Sequence, residues 1–381
     1  MASKRKPVRP ACAIPKHDNS VLVLQGGGAL GSYQAGVYEG MAEKGFAPDW
    51  VTGVSIGAIN AALIAGNPAA QRIDRLREFW DQVSSGMPLV APAYFDPLRL
   101  AFNRVSATAT MTFGVPGFFT PRVPPPYLQP EGSPEALSVY DTAPLRDTLL
   151  RLIDFDLINR NRKNVRLSVG SANVHTGNSK YFDNRDDTIT PEHIMASGAL
   201  PPGFPPVVID GDHYWDGGMV SNSPLWYVLD DSPQISAMIV QVDLFSAVGE
   251  LPNNLDQVME RAKDIQFSSK TRFNTNRVKE LEGMRVALGH LLEKMPPKFR
   301  DDPDYKLLAL IAEHKRKITI MHLINRRLDS ASSAKDYQFS RATVRQHWEG
   351  GLEDVRRTCA HPDWANAMEI FDGVRAFDLA V

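Results

Sequence analysis

A short apolar run that stops at three consecutive glycines, Val21-Leu-Val-Leu-Gln-Gly26-Gly-Gly28, constrains this chain more than any other feature. Apolar residues in unbroken succession mark a strand buried on both faces, as in a parallel sheet. The glycines let the chain turn tightly and leave its amides bare. A helical pattern follows over residues 32–44, with Tyr33, Val37 and Met41 four apart and Gly45 closing it. Residues 50–54 read as a second strand, 56–65 as an apolar helix of small residues, and 69–83 as an amphipathic helix carrying Leu76, Phe79 and Trp80. Strand, helix, strand and helix at this spacing predict an α/β fold in three α/β/α layers around a mostly parallel central sheet.

Composition narrows the function classes. The chain has 381 residues, 43% of them apolar, which suffices for a large core. A formal net charge of −2 gives no reason to expect a nucleic-acid partner. Two cysteines, Cys12 and Cys359, form neither a disulfide framework nor a metal cluster, and point to a reducing, cytoplasmic setting. No apolar run reaches the length that spans a bilayer. Residues 1–18 are basic and interrupted by prolines, and read as a disordered arm, with a weak electrostatic tether to anionic lipid as the sharper alternative.

Residues 86–144 change texture: prolines crowd the segment, interleaved with Tyr94, Phe95, Phe102, Phe113, Phe118, Phe119 and Tyr127. Aromatics need burial, so the segment reads as a lid or an apolar wall over a site, with an ordinary packed insertion as the alternative. Residues 165–173 and 180–183 form an expected hairpin, residues 191–199 a short helix, and residues 207–215 a second hairpin turning at Asp210-Gly211. Residues 235–242 read as a further buried strand. From about residue 254 the pattern is helical and charged through residue 328, so 246–381 is expected to be a mainly helical extension following a catalytic domain at 19–245.

Three motifs carry chemistry. Gly26-Gly27-Gly28-Ala-Leu-Gly31 lies between strand and helix, where bare amides and the helix N-terminus favour negative charge. The same spacing fits a dinucleotide fingerprint. Gly53-Val-Ser55-Ile-Gly57 decides between the two readings, because G-x-S-x-G between an apolar strand and a small-residue helix is the nucleophile elbow. A dinucleotide enzyme would want an acidic residue at the end of that second strand. The third motif, Asp216-Gly217-Gly218, presents a carboxylate from a tight turn after a strand. Standing alone it would be an ordinary turn.

In this order the motifs resemble those of the patatin-like phospholipase family: a GGGxxG loop, a G-x-S-x-G serine and a D-G-[AG] aspartate. Residues 196–206, Ala-Ser-Gly-Ala-Leu-Pro-Pro-Gly-Phe-Pro-Pro, resemble the stretch that precedes the aspartate in that family. The resemblance covers about residues 20–245, and residues 250–381 look like the extension of a bacterial subgroup. It implies a patatin-like fold and a serine acyl hydrolase that cleaves lipid carboxylic esters, with phospholipid or lysophospholipid favoured. Ser55 is then the nucleophile and Asp216 its general base. Gly26, Gly27, Gly28 and Gly31 are the oxyanion loop, while Gly53, Gly57, Gly217 and Gly218 support the turns. Leu30 stands where many members carry Arg or Lys, which leaves the loop without an adjacent positive charge.

The acyl-enzyme could also be intercepted by an alcohol or thiol, which makes an acyltransferase one alternative, and a catalytically silent lipid-binding protein another. Histidine is the internal rival to a two-residue mechanism, with His175, His193 and His213 near the relevant segments. No cofactor is expected, and no calcium or zinc ligand spacing occurs. The expected partners are a lipid or other acyl ester and, peripherally, a membrane surface. The charged stretch 261–280 reads as a solvated helix face.

Overall fold

The computed structural model describes residues 17–86, 98–160, 165–231, 236–268, 271–312, 317–326, 334–364 and 373–380. The expected basic arm falls outside them except for His17 and Asp18, as do Tyr94 and Phe95 of the expected lid.

The N-terminal half runs β1 (Asn19–Leu24), a 3-10 turn over Gly28–Gly31, α1 (Ser32–Ala42), β2 (Trp50–Val54), α2 (Ile56–Ala65), α3 (Arg72–Val83) and α4 (Leu98–Phe113). A small antiparallel pair follows, β3 (Thr120–Pro121) with β4 (Tyr140–Asp141), and then α5 (Ala143–Leu152) and α6 (Phe155–Arg160). Next come β5 (Arg166–Asn173), β6 (Ser179–Asp183), α7 (Pro191–Ser197), β7 (Val207–Ile209), β8 (Asp212–Asp216), α8 (Leu225–Asp231) and β9 (Ser236–Asp243). The C-terminal part holds α9 (Leu255–Phe267), α10 (Thr271–Lys294), α11 (Pro303–Ala312), β10 (Lys317–Ile324), α12 (Arg341–Ala360) and β11 (Gly373–Phe377).

The main sheet has the order β11-β10-β9-β1-β2-β5-β8-β7, with β6 also pairing with β5. From β11 to β5 every pairing is parallel, and the antiparallel pairings are β5–β6, β5–β8 and β7–β8, so that β6 and β8 run against the other strands. In β1, Leu22 and Leu24 pack into a core with α1 and α2, while Val21 and Val23 pack into a second core with α8. Alternate residues of a strand face opposite sides. The unbroken run of apolar residues is therefore the mark of a sheet covered on both faces. The expected three-layer arrangement is what forms.

Hairpin β7–β8 turns at Asp210 and Gly211, both with positive φ (51° and 88°). That is the geometry two-residue hairpin turns require.

Two expectations are corrected. Residues 317–324 do not continue a helical run: they form β10, in parallel register with β9 from Lys317 opposite Ser236 to Ile324 opposite Asp243. The sequence Lys-Ile-Thr-Ile-Met-His-Leu-Ile reads as a strand once a neighbour exists to bury both faces, and β11 then pairs beyond it. The last third of the chain thus supplies two strands of the central sheet. The second correction concerns the cysteines. Cys359 is disulfide-bonded, so the cysteines give no support to a reducing compartment; Cys12 lies outside the described residues.

No described helix is long and apolar enough to cross a membrane.

Candidate active site

Ser55 sits between the end of β2 and the first residue of α2, with φ 57° and ψ −126°. A non-glycine residue held at positive φ carries strain that the surrounding packing must enforce. Two glycines make that packing possible. A Cβ on Gly53 would overlap the Gly57 carbonyl, and a Cβ on Gly57 would overlap the Leu24 carbonyl. Strand β2, helix α2 and strand β1 therefore meet backbone to backbone. The Ser55 amide donates to the Ser197 carbonyl at 3.0 Å and to the Ser197 Oγ at 3.1 Å. Ser197 Oγ in turn donates to the Gly170 carbonyl at 2.6 Å. This buried serine ties the elbow to β5, and sequence reading gave it no role beyond membership of the 196–206 stretch.

Asp216 closes β8, which pairs with β5 so that Asp216 lies opposite Ser171. A Cβ on Gly217 would overlap the Gly170 carbonyl, so the turn is pressed against the same strand. The carboxylate is 2% exposed. Ser55, beside it on the cleft, and the Gly218 amide, 2.7 Å from Oδ1, act on it as donors. Burial pushes its pKa up to about 6, against the opposing pull of those two donors.

The glycine loop faces this pair. Gly26, Gly27, Gly28, Ser55, Asp216 and Gly218 all line one cleft of about 750 Å³ that opens to solvent. The Gly26 amide is already engaged, donating to the Asn222 carbonyl at 3.2 Å, and Asn222 Nδ2 returns a bond of 3.2 Å to the Gly26 carbonyl. Gly28 has φ +56°, where a side chain would be strained. Gly31 is not brought to the cleft. It ends the 3-10 turn, its carbonyl accepts from Asn60 Nδ2 at 2.9 Å, and a Cβ there would press on Ile56. Leu30 is fully buried in the core rather than turned toward the cleft.

The remaining walls are apolar: Ile56, Ile59, Phe118, Phe119, Leu200, Phe204, Phe245, Phe267, Tyr337 and Phe339. Phe118 and Phe119 from the Pro-rich segment meet Phe204 at ring centroids 6.0 and 5.1 Å. Phe118 and Phe119 thus line the cleft, whereas Phe113 and Tyr127 are exposed. Asn222, Phe245, Phe267, Tyr337 and Phe339 were not anticipated. No motif marks them, because each reaches the cleft through tertiary packing alone.

None of the described histidines lines the cleft. His193 caps α7, its Nδ1 accepting from the Thr190 amide at 3.0 Å. His213 is three residues before Asp216 on β8, so it faces the other side of the strand, where its ring meets His175 at 5.5 Å. Among the described residues no group of three or more His, Cys, Asp or Glu could hold a metal ion.

An elbow serine, a buried carboxylate and a glycine loop on one cleft of an α/β fold have the layout of a serine hydrolase. A patatin-like phospholipase family model matches residues 22–229, more than half of the chain, and a second model described as patatin phospholipase matches residues 265–369. The chain belongs to the patatin-like phospholipase family and is a lipid acyl hydrolase. No curated protein matches it. Among solved structures it is similar to VipD from Legionella pneumophila, at 14% identity and a TM-score of 0.32, over 92% of this chain and 72% of that one.

Proposed function

We propose that the protein hydrolyses lipid carboxylic esters, phospholipid or lysophospholipid, through a Ser55–Asp216 dyad and an acyl-enzyme. The observation that carries this reading is that Ser55, at its strand-to-helix elbow, and a buried Asp216 line one cleft with the glycine loop. A carboxylate at its ordinary pKa is a weak base toward a hydroxyl. Burial of Asp216 brings its pKa to about 6, closer to the range where a general base works best.

Asp216 takes the hydroxyl proton as Ser55 Oγ attacks the ester carbonyl. The amides of Gly27 and Gly28, together with the N-terminus of α2, stabilise the oxyanion; Gly26, whose amide donates to Asn222, and Gly31 support the loop without donating to the oxyanion. The tetrahedral intermediate collapses, the C–O bond to the alcohol breaks, and the departing oxygen takes the proton back from Asp216. A water molecule, deprotonated by the same carboxylate, attacks the acyl-enzyme and releases the fatty acid, and the proton returns to Ser55. The apolar cleft holds the acyl chain.

Peripheral contact with a lipid surface belongs to the same proposal. Helix α4 buries Arg99, Asn103 and Ser106 while exposing Val105, Met111 and Phe113. Helix α9 turns Glu260 and Asp264 toward Lys335 and exposes Leu255, Val258, Met259 and Ile265. Two helices with their polar faces inward, joined by an Arg104–Asp256 ion pair of 3.0 Å, leave apolar stripes outside. Both stripes adjoin segments that reach the cleft, at Phe267 and at Phe118.

The test is labelling with a fluorophosphonate probe alongside a lipid substrate panel. Wild type is expected to label and to release fatty acid, and Ser55→Ala to do neither. Labelling of Ser55→Ala at the wild-type rate would refute the assignment.

A further inference from the structure

The segment from Lys335 to Phe339 belongs to the C-terminal extension, yet it stands against the glycine loop. The Asp336 carbonyl lies so close to Gly28 that a Cβ there would overlap it. Tyr337 and Phe339 line the cleft beside Phe118, with Phe118 and Phe339 at a ring-centroid distance of 6.0 Å.

Three attachments fix this segment. Lys335 is 1% exposed, and its Nζ lies 2.6 Å from Asp264 Oδ1 and 3.1 Å from Glu260 Oε1, both on α9. Asp336 Oδ1 meets Lys263 Nζ at 2.7 Å, also on α9. Downstream, Ser340 caps α12, which lies directly on α1: a Cβ on Gly36 would overlap the Trp348 carbonyl, and one on Gly351 the Tyr33 carbonyl. A buried ammonium with two carboxylates is costly to separate, because removing one partner strands charge in a dry interior. The segment is therefore a fixed wall.

We propose that this wall sets acyl-chain selectivity: Tyr337 and Phe339 are specificity-determining residues that bound the fatty acyl chain, and Lys335 is the positioning residue that holds them beside the oxyanion loop. The extension is then part of the substrate site. This rests on the acyl-hydrolase reading above only for where the chain lies, and binding tests it without turnover.

The experiment uses the full chain carrying Ser55→Ala, titrated calorimetrically with decanoate and with palmitate. Phe339→Trp narrows the cleft and is expected to lower the palmitate-to-decanoate affinity ratio at least fivefold. Phe339→Ala widens it and is expected to raise that ratio. Ratios within twofold of the parent in both variants would overturn the proposal. Because these proteins lack the nucleophile, a failure here is separate from a failure of the Ser55 assignment, which the labelling experiment reads.

Lys335→Met is expected to shift the same ratio and Lys335→Arg to restore it. A merely structural lysine would lower the unfolding temperature and leave the ratio alone. Should Lys335→Met not fold, Glu260→Gln, which removes the longer of the two ion pairs, is expected to shift the ratio in the same direction; an unmoved ratio there removes Lys335 from the assignment.

Discussion

The floor of the cleft, from Gly26 to Gly57, is made of backbone, whereas its far wall, from Lys335 to Phe339, is made of side chains held by charge. On the floor, each demand is local: Gly53 and Gly57 let three main chains touch, and Ser55 is strained at the tip of the turn. On the wall, a buried lysine reaches two carboxylates on another helix, and nothing in its immediate sequence signals that role. A side chain at Gly53 or Gly57 would collide with backbone. The wall is held instead by ion pairs to a separate helix, α9.

The comparison breaks first if the floor is not where the chemistry lies. Ser55→Ala and Asp216→Asn are each expected to lower kcat/KM for a lipid ester by about 10⁴-fold. A residual activity within tenfold of wild type in either variant would move the nucleophile or base elsewhere.

Gly28→Ala tests the seam between the two regions, since it places a methyl at φ +56° against the Asp336 carbonyl. A loss of about 10²–10³ in kcat is expected, the size of one misplaced oxyanion donor. Steady-state kinetics on a soluble ester would measure it, and a change confined to KM would argue against a role for the loop in the transition state.

Asp216 also predicts a pH signature. An unfolded aspartate titrates near 3.8, but the buried one near about 6. Below pH 3.8 both forms are neutral and burial costs nothing. As pH rises from there to 6 the folded state holds the extra proton, so stability falls with pH, and the whole penalty is present above 6. Two pKa units correspond to about 3 kcal/mol. Asp216→Asn should therefore unfold at a higher temperature than wild type at pH 7.5, with the gap closing toward pH 4. Activity runs the opposite way in wild type, rising through about pH 6 as the base form appears. Equal unfolding temperatures at both pH values would remove the premise of a desolvated carboxylate.

The smallest expected effect lies at the foot of the wall. Gly351→Ala forces apart α1 and α12, at a cost of roughly 1–3 kcal/mol by chemical denaturation. A neutral outcome would mean that α12 is less tightly seated than its contact with Tyr33 implies.

Much of the floor was legible from the residues alone. The apolar run at β1, the elbow at Ser55 and the turn at Asp216 obey steric rules set by their immediate neighbours. At Gly53, Gly57, Gly217 and Gly218 an added Cβ would overlap a neighbouring atom. The loop was legible only in outline, because which of its amides remain unspent depends on Asn222, a partner far along the chain. Likewise His213 looks adjacent to Asp216 in sequence, and strand alternation sends it to the opposite face.

What the amino-acid order determined by itself was where the chain must turn, which residue each turn presents, and that a two-faced sheet lies between them. Steric permission is a property of a few consecutive residues and can be read without a partner. Tertiary structure alone decided that residues 317–324 would be a strand, that Asp216 would lose its water and gain proton affinity, and that Lys335 would carry Tyr337 and Phe339 to the cleft. Pairing register, desolvation and buried charge exist only once distant segments meet, so no local pattern could announce them.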